Sequence, residues 1–166
     1  MFKINNTEVI RNGIDFNKFR NVEKTKEEIR RELNIPTDAY VVGQVGRFAY
    51  QKNPEFTVEV FNKLLKKKPN SYLLLIGRGK QEEDLRKQVN KLGIDNNVQI
   101  LIGRDDIPSL LKAMDVFMFP SRFEGLGIVL IEAQVSGLPC VTSDNIPEDA
   151  SSGKITLPKK VEKKDK

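Results

Sequence analysis

YVVGQVGRFAYQKNPEFTVEVFNKLLKKKPNSYLLLIGRG, residues 40–79, decides the fold. Apolar runs at 41–45 and 72–76 read as strands, and between them Asn53 is expected to cap a helix that Pro54 starts. Phe56, Val60, Phe61, Leu64 and Leu65 fall on one face of that helix. The alternation continues downstream. Further strands are expected at 98–102, 116–119 and 139–142, and Leu85, Val89 and Leu92 mark an intervening helix. Asp106 is expected to cap a short helix bearing Ile107, Leu110, Leu111 and Met114, with Pro108 tolerated in its first turn. Residues 128–131 suit a buried strand by period, yet Glu132, Ala133 and Gln134 followed by Gly137 and Pro139 mark the end of a buried helix, which is the reading adopted. Upstream, Thr25 and Glu28 make a capping box for a helix over about 26–33, and Asn12-Gly13 marks a turn. Strands alternating with helices give an α/β fold, a Rossmann-like doubly wound parallel sheet. Past Pro147 a loop at 151–153, one short strand at 155–157 and a disordered lysine tail are expected.

Composition narrows the function. A chain of 166 residues fits one domain. With 39% hydrophobic and 31% charged residues, no apolar run of bilayer length and no signal-peptide pattern, a cytoplasmic protein is expected. The single cysteine, Cys140, excludes a disulfide framework and reads as a buried, inert thiol. The chain has no histidine, which removes imidazole bases, histidine triads and histidine-ligated zinc. Its net charge of +5 suggests nucleic acid at first sight, but the tail PKKVEKKDK sets five lysines against Glu162 and Asp165 and carries most of that excess. Lys66, Lys67 and Lys68 close a helix, where cations meet the negative end of its dipole, and no aromatics are interleaved for base stacking. No nucleic-acid partner is expected.

The chemistry concentrates in SRFEGLGIVLIEAQVSGLPCV, residues 121–141. Glu124 and Glu132 flank a loop in which Gly125 and Gly127 let the backbone come close to a ligand. Free N–H groups at the helix start that follows carry partial positive charge and suit a phosphate, while a carboxylate accepts from hydroxyls. The plain alternative makes Glu124 an N-cap and Glu132 a solvated helix position. In a doubly wound sheet ligands sit beyond the carboxyl ends of the strands. There, Arg47 and Lys52 bracket the loop between the first strand and its helix, two cations placed for a diphosphate or simply two surface charges. Gly77-Arg78-Gly79 is a fragment of a dinucleotide fingerprint with no third glycine and reads as structural. Asp105 and Asp106 read as helix capping, not as metal ligands, and no Asp-x-Asp pair occurs.

Together VIRNGID (9–15), VGRFAYQKNPE (45–55), GRDDIPSLLKAMDVFMFPSRFEGLG (103–127) and EAQVSGLPCVTSD (132–144) resemble the nucleotide-sugar-binding C-terminal domain of group 1 (family 4) retaining glycosyltransferases of the GT-B fold. The resemblance implies that Glu124 meets the donor sugar and is the catalytic carboxylate, while Glu132 binds the ribose hydroxyls. It implies that Arg47 and Lys52 hold the diphosphate together with the amides of Gly125, Leu126 and Gly127. Ile102 and Gly103 match the place where the family holds the base by backbone contacts.

On the same resemblance, residues 1–22 are a linker from a missing N-terminal acceptor domain, 23–147 the nucleotide-sugar domain and 148–166 a truncated basic tail. The implied substrate is a nucleotide-diphosphate sugar, with no cofactor and no metal. The implied acceptor is a glycan or lipid-linked glycan, handled by a parent enzyme peripheral at the inner membrane face, and the isolated chain is expected to bind donor without transferring it. Arg47, Lys52 and the helix start could stabilise charge on a leaving diphosphate. A glycoside hydrolase would leave those two cations unexplained. A non-catalytic nucleotide-binding module, or a GT-B epimerase or phosphorylase, stays open at this level.

Overall fold

The computed structural model describes residues 15–144. All five apolar runs are strands: β1 (Tyr40–Val45), β2 (Ser71–Ile76), β3 (Val98–Leu101), β4 (Val116–Phe119) and β5 (Cys140–Thr142). They make one parallel sheet in the order β3-β2-β1-β4-β5. Successive side chains on a strand point to opposite faces, and here both faces are buried. Val41, Leu74, Ile76, Phe117 and Phe119 enter one apolar cluster. Val42, Leu73, Leu75 and Met118 enter the other. Burial on both faces is why these strands read as unbroken apolar runs rather than alternating ones. The expected doubly wound α/β sheet is what the chain forms.

The covering helices are α1 (Asn17–Arg20), α2 (Lys26–Glu32), α3 (Pro54–Lys67), α4 (Glu82–Leu92), α5 (Ile107–Lys112) and α6 (Ile128–Val135). Val58 and Phe61 of α3 with Leu85 and Val89 of α4 cover one face. Ile29 of α2, Leu110 and Leu111 of α5, and Leu130 and Ala133 of α6 cover the other. The capping box at Thr25 and Glu28 is present in both directions. Residues 128–135 are helical as argued. Their stop is made by Gly137 at φ 79° and by the Leu138 N–H donating to the Ala133 carbonyl at 3.1 Å.

Several local expectations need correction. The side chain of Asn53 does not cap α3; the residue is left-handed, at φ 52°, and its amide turns to a distant loop described below. The buried stripe of α3 is Pro54, Thr57, Val58 and Phe61, which leaves Phe56 exposed. Leu92 is likewise at the surface. The carboxylate of Asp106 does not cap α5 because Arg104 occupies it. Ile102 lies outside β3, since the ladder ends where the Gly77 N–H donates to the Leu101 carbonyl. Pro139, which has no N–H, precedes β5 and only accepts, from the Phe117 N–H at 2.9 Å. Cys140 is half-buried and free, and burial pushes its thiol up to about 11, in keeping with an inert role. The Asn12-Gly13 turn, the loop at 151–153, the strand at 155–157 and the lysine tail lie outside the described residues. Phe19 and Val22, within the segment read as a linker, pack on the first cluster.

At the amino end of the sheet Arg30 is 4% exposed and makes four hydrogen bonds. Its guanidinium donates to the carbonyls of Ala113 (2.9 Å), Thr37 (2.8 Å) and Ala39 (2.9 Å), and to the Asp115 carboxylate at 2.7 Å. Asp115 also accepts from Lys26 at 2.5 Å and from the Val41 N–H at 2.7 Å. Burial pushes the Asp115 carboxyl up, but these bonds outweigh it and hold it below the usual aspartate range.

Arg30→Ala should therefore lower the unfolding free energy by about 3 kcal/mol, the loss found when one partner of a buried pair is removed. Urea denaturation at neutral pH checks it. Because the Asp115 carboxyl is held below its unfolded value, its stabilisation is complete above about pH 4 and fades as pH falls through the folded value. Asp115→Asn should flatten that part of the acid slope, and an unchanged slope would show that the cluster does not couple to folding.

Candidate functional site

β1 neighbours both β2 and β4, so the chain reverses its direction of growth across the sheet between β1 and β4. A crevice opens beyond the carboxyl ends of strands at such a point. Two loops flank it, residues 46–53 after β1 and residues 120–127 after β4, and they are tied together. The Arg122 N–H donates to the Gln51 carbonyl at 2.8 Å, and the Gln51 amide donates to the Phe123 carbonyl at 3.1 Å. Asn53 donates to the Pro120 carbonyl at 3.3 Å and accepts from the Arg122 guanidinium at 3.0 Å. That guanidinium also lies 4.3 Å from the Tyr50 ring and 3.7 Å from the Glu55 carboxylate.

At the centre of this tie Lys52 and Glu124 form an ion pair. Their side chains are 15% and 5% exposed, so the pair is largely out of water. The Lys52 ammonium also sits 4.9 Å from the centre of the Phe119 ring. One N–H of an ammonium serves the pair, which leaves two donors for a ligand. Glu124 is thus neither an N-cap nor a solvated surface acid.

Glu124 leads into Gly125, Leu126 and Gly127. Gly125 has open space around it. Gly127, at φ 64°, stands before α6 and supplies no side-chain cap, so the first amides of that helix are left to other acceptors. Glu132 follows one turn into α6. Burial raises its carboxyl, and it has no hydrogen-bonding or ionic partner among the described residues. A carboxylate so placed is an available acceptor for hydroxyls.

Arg47 stands apart from Lys52. It lines a cleft of about 230 Å³ across the ends of the first three strands. Each of those ends carries the same tripeptide, an aliphatic residue, a glycine and an arginine: Val45-Gly46-Arg47, Ile76-Gly77-Arg78 and Ile102-Gly103-Arg104. All three arginines and all three glycines line the cleft, with Val45, Ile76 and Ile107 as its apolar surface. Gly77 and Gly79 are structural, as expected. A Cβ at Gly77 would stand 1.9 Å from the Gly46 carbonyl oxygen and one at Gly79 2.2 Å from that of Phe48. Arg78 and Arg104, however, were not singled out as ligand-facing, and the threefold tripeptide was the signal available. Arg104 is held by the Asp106 carboxylate, and this bond is the main reason that carboxyl lies below its usual range. Ile102 is exposed beside Gly103 at the rim.

Lys52→Met should leave the Glu124 carboxylate buried without a partner and lower stability by about 3 kcal/mol. Adding Glu124→Gln should recover most of that loss, since the pair is then removed as a unit. Denaturation of the two single variants and the double variant decides it, and strictly additive losses would mean that the two side chains are uncoupled.

The model of the family described as "Glycosyl transferases group 1" matches residues 25–149. The UDP-Gal:alpha-D-GlcNAc-diphosphoundecaprenol alpha-1,3-galactosyltransferase of Escherichia coli is 35% identical over 142 residues, covering 82% of this chain and 36% of that protein. The crystal structure of Anabaena HepE in complex with UDP-glucose superposes with a TM-score of 0.77 at 28% identity, covering 92% of this chain and 44% of that one. The C-terminal domain of the group 1 protein LpcC from Francisella tularensis shares the fold, with a TM-score of 0.71 at 24% identity over 89% of this chain and 81% of that domain. The chain spans little more than a third of the length of the curated relatives it matches.

Proposed function

This chain belongs to the group 1 glycosyl transferases, and from that membership we propose that it is the donor-binding half of a retaining enzyme. In this reading it moves a sugar from a nucleotide-diphosphate sugar to a glycan or lipid-linked glycan. The observation that carries it is the switch-point site itself. Lys52 and Glu124 are paired there, uncapped amides start α6, and Arg47 lines the neighbouring cleft at the end of β1. Relatives named for UDP-galactose and a neighbour solved with UDP-glucose support the donor class. An acceptor linked to a lipid diphosphate, as in the galactosyltransferase name, supports work at a membrane surface. No helix of the described residues is long and apolar enough to cross that membrane.

The residues divide the labour by chemistry. As the bond to the sugar lengthens, negative charge grows on the departing diphosphate. Arg47, the spare donors of Lys52 and the amides at Gly125, Leu126 and Gly127 are placed to take it up. No metal is needed for that charge in this reading, because two cations and a helix start supply the compensation. Glu124, held by Lys52 next to the phosphates, faces the sugar, where oxocarbenium character develops. Glu132 accepts from the ribose, and the backbone at Ile102 and Gly103 borders the base. Acceptor binding belongs to the remainder of the enzyme, so the chain alone should hold donor weakly and transfer nothing.

Arg47→Ala should weaken diphosphate binding by roughly 1.5–3 kcal/mol, the range for a hydrogen bond to a charged group, and weaken free nucleoside far less. Calorimetry with UDP and uridine measures both, and a chelator should leave the UDP titration unchanged. If the chelator abolishes binding, the cations are not the phosphate clamp.

The two glutamates should behave differently. Glu132→Gln should weaken donor and bare nucleotide diphosphate alike. Glu124→Gln should spare the bare nucleotide and, in the full-length enzyme, lower kcat more than it raises KM, as expected for a contact strongest in the transition state. Glu124→Gln also leaves the buried Lys52 ammonium without its partner, so each variant is titrated well below its own thermal midpoint, where the fold is intact. Equal loss of nucleotide affinity in both variants would overturn the division.

A further inference from the structure

Resting on the donor-site reading, we propose that Arg78 selects the base of the nucleotide, and that it selects bases with a carbonyl edge over those with an amino edge. Three observations place it. Arg78 lines the same cleft as Arg47 and Arg104, at the middle of the three strand ends. Its guanidinium crosses from the β2 end to the β3 loop, so that a Cβ built on Gly103 would stand 3.9 Å from its Nη2. It therefore overhangs the backbone that borders the base. Unlike Arg104, which Asp106 holds, Arg78 has no side-chain partner among the described residues, so its donors are free.

The hydrogen-bonding character of the cleft sets the preference. Its side chains are arginines, which only donate, and aliphatics, which do neither. Three backbone acceptors at the strand ends are already used. The Ile76 carbonyl takes the Gly46 N–H at 2.9 Å, the Arg78 carbonyl takes the Phe48 N–H at 3.0 Å, and the Leu101 carbonyl takes the Gly77 N–H at 3.0 Å. A base entering between these donors gains when it offers oxygen acceptors, as uracil does at O4 and guanine at O6. The amino group of cytosine or adenine would instead set donor against donor. Arg78 is exposed in the free chain, and a base that covers it with an amino edge would take its donors from water without replacing those bonds. Uracil and guanine share the chemistry that Arg78 recognises, and direct titration separates them.

The test is calorimetry of this chain with UDP, GDP, CDP, ADP and inorganic pyrophosphate, repeated for Arg78→Lys and Arg78→Met. The unaltered chain should bind UDP, GDP or both at least about tenfold more tightly than CDP and ADP, within the range one hydrogen bond from a charged donor supplies. Arg78→Lys keeps the charge but loses the planar fork, so it should bring the UDP to CDP ratio close to one while pyrophosphate binding holds. Arg78→Met should do the same, with its thermal midpoint confirming the fold. Equal binding of UDP and CDP by the unaltered chain overturns the proposal and leaves the donor site standing. So does a ratio that survives both substitutions, or a loss for pyrophosphate as large as that for UDP, which would make Arg78 a phosphate cation. If no nucleotide binds at all, the donor-site reading fails and this inference falls with it.

Discussion

The Lys52–Glu124 pair joins two loops that sequence places more than seventy residues apart. Each side chain is costly to bury alone, and the two become tolerable only together and with further polar neighbours. The Asn53 and Arg122 contacts run alongside the pair, so the loop after β1 and the loop after β4 are tied at several points. Position then follows for everything attached to them. Gly127 is set at the head of α6, Glu132 one turn further, and Arg47 at the mouth of the neighbouring cleft. The sheet supplies the crevice, but the pair determines which groups face it.

Size alone does not locate the site. A larger cavity, about 450 Å³, lies between α4 and β3 and is lined by Arg86, Val89, Asn90, Asp95, Val98 and Ile100. It flanks the edge of the sheet and borders neither the switch point nor the start of a helix after β1 or β4. The smaller cleft of about 230 Å³ has three strand ends, three arginines and adjoining loops tied by a buried ion pair. For an anionic ligand those features outweigh volume, because the larger cavity holds one arginine, which Glu82 already pairs, and an aspartate, whereas the smaller cleft gathers three arginines.

Much of the fold was legible in the sequence because doubly buried parallel strands leave an unmistakable trace, as at residues 72–76. The helical reading of α6 rested on Gly137 and Pro139, local stop signals whose mechanism is local too. What was not legible depended on distant partners. Asn53 looked like a cap, yet its amide answers to Pro120 and Arg122. Asp106 looked like a cap, yet Arg104 reached it first. Glu124 and Lys52 were both singled out, Glu124 for the sugar and Lys52 for the diphosphate, but nothing in their spacing told that they would pair. Arg78 reads as structural in the sequence because its glycine neighbours have a structural task, and only the alignment of β1, β2 and β3 shows that the three arginines line one cleft.

The most direct test of the central claim is a nuclear magnetic resonance titration of the amide-labelled chain with UDP. The account predicts that the largest shifts fall on the amides of residues 46–52, 103–104 and 124–129, with Glu132 following them. Shifts concentrated instead around Arg86, Asp95 and Val98 would place the ligand in the larger cavity and contradict it.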